Sequence, residues 1–264
     1  MKVDAGVART RPVALVTGAG GGLGAAIAVA LAKSGFDLAL NDLAESESLR
    51  NVVARASDRG ARAQIFARDL AQIEELPNFV GSVCDDFGEV DCLVNNAGVS
   101  VLSRGDILDV APTSFDRCIG VNLRAQFFLT QAMARRMAAQ AANGRRRSII
   151  TVTSVAVDEI VGAALAEYSI SKAGLSHMIK HFAVRLAPLG VECYELRPGM
   201  MKTNMTGSSR KKYDDLIASG FVAANRWGEV DEIAETAASL ASGALRYTVG
   251  QIVNVDGGMW LKTF

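Results

Sequence analysis

The sequence predicts a single α/β domain organised around a mainly parallel sheet, on three observations. Short apolar runs alternate with helix-length segments along the chain. The first run is followed by a glycine cluster and then by Leu23, Ile27 and Leu31 at helical spacing. With 264 residues, 50% of them apolar, the chain has material for one substantial core. Such alternation is met by parallel strands joined through right-handed helical crossovers.

Taken in order, residues 13–17 form the first strand, the glycine cluster a turn, and the Leu23 pattern the first helix. Further strands are expected at 36–40, 63–66, 92–94, 149–152, 191–196 and 251–255, with helices between most of them. Residues 198–226 are polar and rich in Met, Ser and Lys, too long for a plain connection, and are expected to form a substrate lid. No repeat, low-complexity segment or linker divides the chain, so residues 1–264 are read as one domain.

Lys plus Arg and Asp plus Glu balance at 28 each, which leaves no global field for nucleic acid or an anionic membrane. The apolar run after Lys2, Arg9 and Arg11 is too short for a signal peptide, and residues 23–32 are too few to span a bilayer. Cys84, Cys92, Cys118 and Cys193 show no CxxC pairing and are read as reduced core thiols of a cytoplasmic protein. His177 and His181 share a helix face without an HExxH acid, and no metal is expected. Met200, Met201 and Met205 are expected to line an adaptable pocket under the lid. Arg145, Arg146 and Arg147 form the one dense charge run, either a solvated turn before a strand or a docking patch.

"TGAGGGLG", Thr17 to Gly24, lies where strand gives way to helix. Glycines there let the backbone turn sharply and aim amide donors and the helix N-terminus at a pyrophosphate. The spacing Gly18, Gly22, Gly24 departs from GxGxxG, and a turn without function is the competing reading. Eighteen residues past Gly24, Asp42 ends the second strand, where a carboxylate accepts hydrogen bonds from adenosine ribose hydroxyls. Against a 2′-phosphate at about 4 Å and an effective dielectric near 20, it costs roughly 4 kcal/mol per charge pair before screening. The first basic residue after it is Arg50, so NAD(H) is preferred over NADP(H). The competing role for Asp42 is a cap on the next helix.

In "YSISK", Tyr168 and Lys172 stand at i and i+4 and share a helix face. A phenol with its ordinary pKa near 10 exchanges protons poorly at neutral pH. Lowering it by about three units requires roughly 4 kcal/mol, which a neighbouring ammonium supplies at moderate dielectric, with the positive nicotinamide of bound NAD⁺ adding to it. The alternative is an exposed pair with an aliphatic stem over a ring.

These strings occur together with "NNAG" (Asn95 to Gly98), Asn122 in "GVNL", Ser154 in "TVTS", and "RPG" (Arg197 to Gly199) followed by Thr203. In that order they resemble the short-chain dehydrogenase/reductase family over nearly the whole chain, in the layout of its 3-oxoacyl-acyl-carrier-protein reductases. The resemblance implies a Rossmann-type, doubly wound parallel sheet of about seven strands with helices on both faces. It further implies an NAD(P)-dependent carbonyl or alcohol oxidoreductase and a homotetramer.

Residue by residue, the same resemblance implies that Gly18, Gly22, Leu23 and Gly24 cradle the cofactor. Asp69 and Leu70 would flank the adenine, and Asn96, Ala97 and Gly98 pass along the adenosine. Pro198, Met201 and Thr203 would border the nicotinamide carboxamide. Tyr168 would exchange the proton, Ser154 orient the substrate oxygen, and Lys172 also hold the nicotinamide ribose. Asn122 would fix a water linking Lys172 to solvent, or else act as a strand-side amide bonded to local backbone. The segment between Ser154 and Tyr168 is one residue longer than in many relatives.

The expected substrate is a small secondary alcohol, sugar, polyol or hydroxy acid and its ketone. A 3-oxoacyl-carrier-protein reductase is the alternative; Arg145 to Arg147 would suit an acidic carrier, whereas "APLG" (Ala187 to Gly190) lacks the basic residue of carrier-binding members. A non-catalytic nicotinamide sensor, the third reading, would typically lose Tyr168 or Lys172.

Overall fold

The computed structural model describes residues 11–140, 144–160 and 163–261. Its seven strands are β1 (Val13–Thr17), β2 (Asp37–Asp42), β3 (Ala63–Ala67), β4 (Cys92–Asn95), β5 (Arg147–Val152), β6 (Val191–Pro198) and β7 (Gln251–Val255). All pair in parallel, in the order β3-β2-β1-β4-β5-β6-β7. The α-helices among the described residues are α1 (Gly22–Lys33), α2 (Glu47–Ser57), α3 (Leu76–Phe87), α4 (Pro112–Cys118), α5 (Gln126–Ala139), α6 (Ala166–Leu186), α7 (Arg210–Ala218) and α8 (Val230–Ser242).

The central strands β1 and β4 read as short apolar runs because they are buried on both faces of the sheet. Successive side chains point to opposite faces. Thus Ala14 and Val16 of β1 join a core with Ile27, Leu49 and Ile233 of α1, α2 and α8. Val13 and Leu15 join the opposite core with Val80, Leu129 and Ile179 of α3, α5 and α6. The strand order reverses between β1 and β4, and at such a switch point a crevice opens beyond the strand C-termini. Ligands bind there in open α/β sheets.

Two expectations are corrected. The arginine run is neither a solvated turn nor a free patch, because Arg147 is buried at the start of β5 and pairs with Glu89 at 3.2 Å. Arg145 donates to both carboxylate oxygens of Asp91, at 2.8 and 2.7 Å, and Arg146 pairs with Glu192. Asn122 lies on no strand; it sits in a π-helical stretch, Ile119–Ala125, between α4 and α5. Lys2, Arg9 and part of the longer segment before Tyr168 (161–162) fall outside the described residues. Among the described residues, no helix is long and apolar enough to cross a membrane.

Candidate active site

The crevice is held open by short polar ties between the ends of β1 and β4. Thr17 Oγ1 donates to Val94 O at 3.2 Å and accepts from the Asn96 and Ala97 amides, each at 3.0 Å. Asn96 Nδ2 donates back to Thr17 O at 2.9 Å and Gly18 O at 3.2 Å.

From this platform the glycine loop turns into α1. Gly18 and Gly22 take φ of +63° and +51°, the left-handed region that glycine enters without penalty. Gly24 is required for another reason: a Cβ there would lie 2.1 Å from Gly18 O and 2.5 Å from Asn96 Nδ2. It sets the close approach of α1 to β1 and does not line the crevice. Gly21 caps α1 without a side-chain acceptor, so the first helical amides face the crevice as donors for an anion.

Asp42 closes the far end of this loop. Its Oδ2 accepts the Gly20 amide at 2.8 Å and its Oδ1 the Leu43 amide at 2.8 Å. It does not cap α2; Ser46 does, accepting from Leu49 N at 3.1 Å. The carboxylate is thus fixed against the loop.

These elements border a cleft of about 670 Å³. It is lined by every residue predicted from the sequence except Gly24 and Asn122. Asn122 stands directly behind the wall, fully buried: its Oδ1 accepts Val99 N at 2.7 Å, and its Nδ2 donates to Val99 O and Ser171 Oγ, both at 3.0 Å. A π-helical widening at this point turns the side chain toward the strand-end loop, a distortion common at functional sites.

Ser154, from the end of β5, and Tyr168 and Lys172, from the first turns of α6, form one wall. Lys172 is 4% exposed, donates from Nζ to Val152 O at 3.0 Å, and lies 5.8 Å from the centre of the Tyr168 ring. Burial lowers its pKa to about 8, with the Glu195 charge acting in the opposite direction. Burial also raises the Tyr168 phenol above its ordinary value; a hydrogen bond with Ser154 pulls the other way, and Tyr213 and Cys118 add to the rise. The lowered phenol expected from the Tyr168–Lys172 spacing is therefore corrected: burial in the fold moves it upward. The Lys172 ammonium is turned to a backbone carbonyl, and desolvation outweighs it.

Four features of the site escape sequence reading. Arg68 lines the cleft near Asp42, beyond β3, and pairs with Glu75, whereas Arg50 pairs with Glu45 at 2.9 Å and does not line it. Arg104 and Arg117 border the cleft from the segment after β4 and from α4. Tyr213 closes it from α7, within a small core made with Met200, Ile217 and Val222. Behind the wall, buried Glu195 accepts from Thr153 Oγ1 and Ser176 Oγ at 2.7 Å each and from Arg197 Nε at 2.6 Å, and Arg197 reaches Asp158. Two charges at i and i+2 in an apolar strand were the one sequence signal for that network.

Comparison with known proteins then decides the family. A family model described as enoyl-(acyl carrier protein) reductase matches residues 18–260. The chain belongs to the short-chain dehydrogenase/reductase family. A 3-oxoacyl-[acyl-carrier-protein] reductase of Synechocystis is 35% identical over 96% of this chain and 98% of its own. L-Rhamnose 1-dehydrogenase (NAD(P)(+)) of Azotobacter vinelandii is 32% identical over 94% of this chain and 96% of its own. The crystal structure of 3-oxoacyl-[acyl-carrier protein] reductase from Brucella melitensis in complex with NAD superposes with a TM-score of 0.92 at 40% identity, covering 97% of this chain and all of that one. This family member is accordingly an oxidoreductase acting on CH–OH groups, and the seven-stranded Rossmann-type sheet is the family's own.

Proposed function

We propose that the protein interconverts a secondary alcohol and its ketone with NAD(H), Tyr168 exchanging the proton with the substrate oxygen. The observation that carries this reading is the convergence of Ser154, Tyr168 and Lys172 on one wall of the cleft that the glycine loop and Asp42 border.

The glycine loop fits a dinucleotide: Gly18, Gly21 and Gly22 line the cleft without side chains, and the first α1 amides face the opening. Bound NAD(H) supplies or accepts the hydride. Asp42 would take the adenosine ribose hydroxyls, which favours NAD(H) over NADP(H), while Asp69 and Leu70 would flank the adenine. Asn96, Ala97 and Gly98 would run beside the adenosine, and Pro198, Met201 and Thr203 beside the carboxamide.

On the substrate side, Ser154 would orient the oxygen by hydrogen bonding. Burial keeps the Tyr168 phenol protonated in the resting site, which is the form that donates during reduction. In oxidation the phenol must lose its proton, and the Lys172 ammonium, together with the charge of the oxidised cofactor, would favour the phenolate. Lys172 would also hold the nicotinamide ribose, and Asn122 would position the Gly98–Val99 backbone and a water behind Lys172.

The expected substrates are small alcohols, sugars, polyols or hydroxy acids. The 3-oxoacyl-carrier-protein reductase reading is favoured by the names of the Synechocystis and Brucella relatives. It gains nothing from Arg145 to Arg147, which pair with acids of the same chain. A cytoplasmic homotetramer is the assembly expected of such a family member, in which exposed Phe127 and Val184 of α5 and α6 would serve as apolar contacts.

The test is a paired fluorescence titration with NADH and NADPH, followed by turnover of ketones, sugars, polyols and 3-oxoacyl thioesters. Tighter NADH binding and carbonyl-dependent oxidation of NADH are expected. Tighter NADPH binding contradicts the role of Asp42, and no turnover of any member contradicts the reaction.

A further inference from the structure

The cleft is electrically lopsided. Its two lining carboxylates, Asp42 and Asp69, both stand at the ends of β2 and β3. On the other side of the switch point, around Ser154 and Tyr168, no carboxylate among the described residues lines it, while Arg104 and Arg117 do. Neither guanidinium has an acidic partner among the described residues: Arg104 donates to Ser209 Oγ, and Arg117 donates to Ser100 O at 2.9 Å. Each of those bonds fixes the direction of an arginine and leaves several of its five donors unspent.

Val99, Val121, Val155, Leu165, Met200 and Met205 give that end an apolar strip, beside the polar Ser100, Thr153, Asn204 and Tyr213. The Thr206 hydroxyl is already spent on the backbone carbonyls of Met201 and Thr203, both at 2.9 Å.

Resting on the oxidoreductase reading, we propose that the substrate is a carbonyl compound with an apolar body that ends in an oxyanion, read by Arg104 and Arg117. The apolar body lies along Val155, Leu165 and Met205, its carbonyl reaches Ser154 and Tyr168, and its carboxylate or phosphate meets the two guanidiniums. Planar guanidinium donors match either oxyanion. Arg104 also joins the substrate end to buried Ser209, just before α7, so occupancy by the anion is coupled to that segment.

The experiment compares matched pairs with NADH: 5-oxohexanoate against its methyl ester, and 5-oxohexyl phosphate against 6-hydroxyhexan-2-one. Wild type is set beside Arg104→Gln, Arg117→Gln and the double variant. In wild type the anionic member of one pair is expected to have a kcat/KM at least about tenfold above its neutral partner, the size of one charge-assisted hydrogen bond. The double variant brings that ratio close to one and leaves the neutral member within about twofold. The pair that shows the preference identifies carboxylate or phosphate as the group read. Ratios near one for both pairs in wild type overturn the proposal, as does an equal fall of both members in the variants, the result of a purely structural arginine. Calorimetry of hexanoate against hexanamide, and of hexyl phosphate against hexanol, on the NADH complex gives a second readout. If no carbonyl is turned over but an anion preference disappears in the double variant, the anion site stands and the reaction falls.

Discussion

Arg197 Nε donates to Glu195 Oε1 at 2.6 Å along one face of β6, and the two side chains are 5% and 0% exposed. The pair also holds Thr153, next to Ser154, and Asp158, in the loop that follows it. Removing one partner strands a buried charge, at a cost of about 3–5 kcal/mol. Arg197→Met is expected to lose that much in urea unfolding, and Glu195→Gln/Arg197→Met less than the sum of the single losses. A strictly additive double variant contradicts the coupling.

Asp42 is held by two backbone amides, one on each oxygen, so Asp42→Asn removes the charge and keeps only one of those two bonds, because a carboxamide offers a single acceptor oxygen. Because the side chain is partly exposed, the unscreened repulsion is discounted to the level of one or two kcal/mol. The ratio of NADPH to NADH affinity is expected to rise about tenfold, read by fluorescence titration. An unchanged ratio shows that Arg68 or another group sets the preference.

A methyl at Gly24 meets Gly18 O at 2.1 Å, whereas a methyl at Gly21 meets nothing within 4 Å. Gly24→Ala is expected to cost about 1–3 kcal/mol by overpacking and to weaken NADH binding, because α1 must move off β1. Gly21→Ala is expected to stay within about 1 kcal/mol of wild type. Equal losses at the two positions would contradict the packing role of Gly24.

The Lys172 ammonium loses its proton at about 8 in the folded chain, against 10.5 for the free side chain. Between those values the unfolded chain binds more protons, so this group adds stability as pH rises through that window. A shift of this size corresponds to at most about 3 kcal/mol. Denaturation of wild type and Lys172→Met at pH 7, 8.5 and 10 is expected to show wild type gaining relative to the variant. In activity, alcohol oxidation is expected to climb toward alkaline pH as the raised Tyr168 phenol ionises, while carbonyl reduction holds steady near neutrality.

The alternation of strands, the glycine loop and Asp42 were legible because they depend on local chain chemistry. Each predicted strand is present, most of them one or two residues longer at an end, as with β5, which begins at Arg147. The shared face of Tyr168 and Lys172 was legible because i,i+4 spacing fixes it, whereas Ser154 was reached only through the family resemblance. What stayed hidden depends on distance across the fold. Arg145 to Arg147 find their acids 54, 46 and 58 residues away in Asp91, Glu192 and Glu89. The Asn122 turn is π-helical, a register no apolar period announces. The phenol was expected to fall from a charge four residues on, but burial, which no spacing reveals, moved it upward.

The most direct test of the proton-exchange role is Tyr168→Phe, which keeps the ring and deletes one oxygen. Single-turnover kinetics with NADH and the best carbonyl substrate are expected to show a rate at least about a hundredfold lower, with the NADH dissociation constant within about threefold of wild type. Turnover at the wild-type rate would contradict Tyr168 as the group that exchanges the proton.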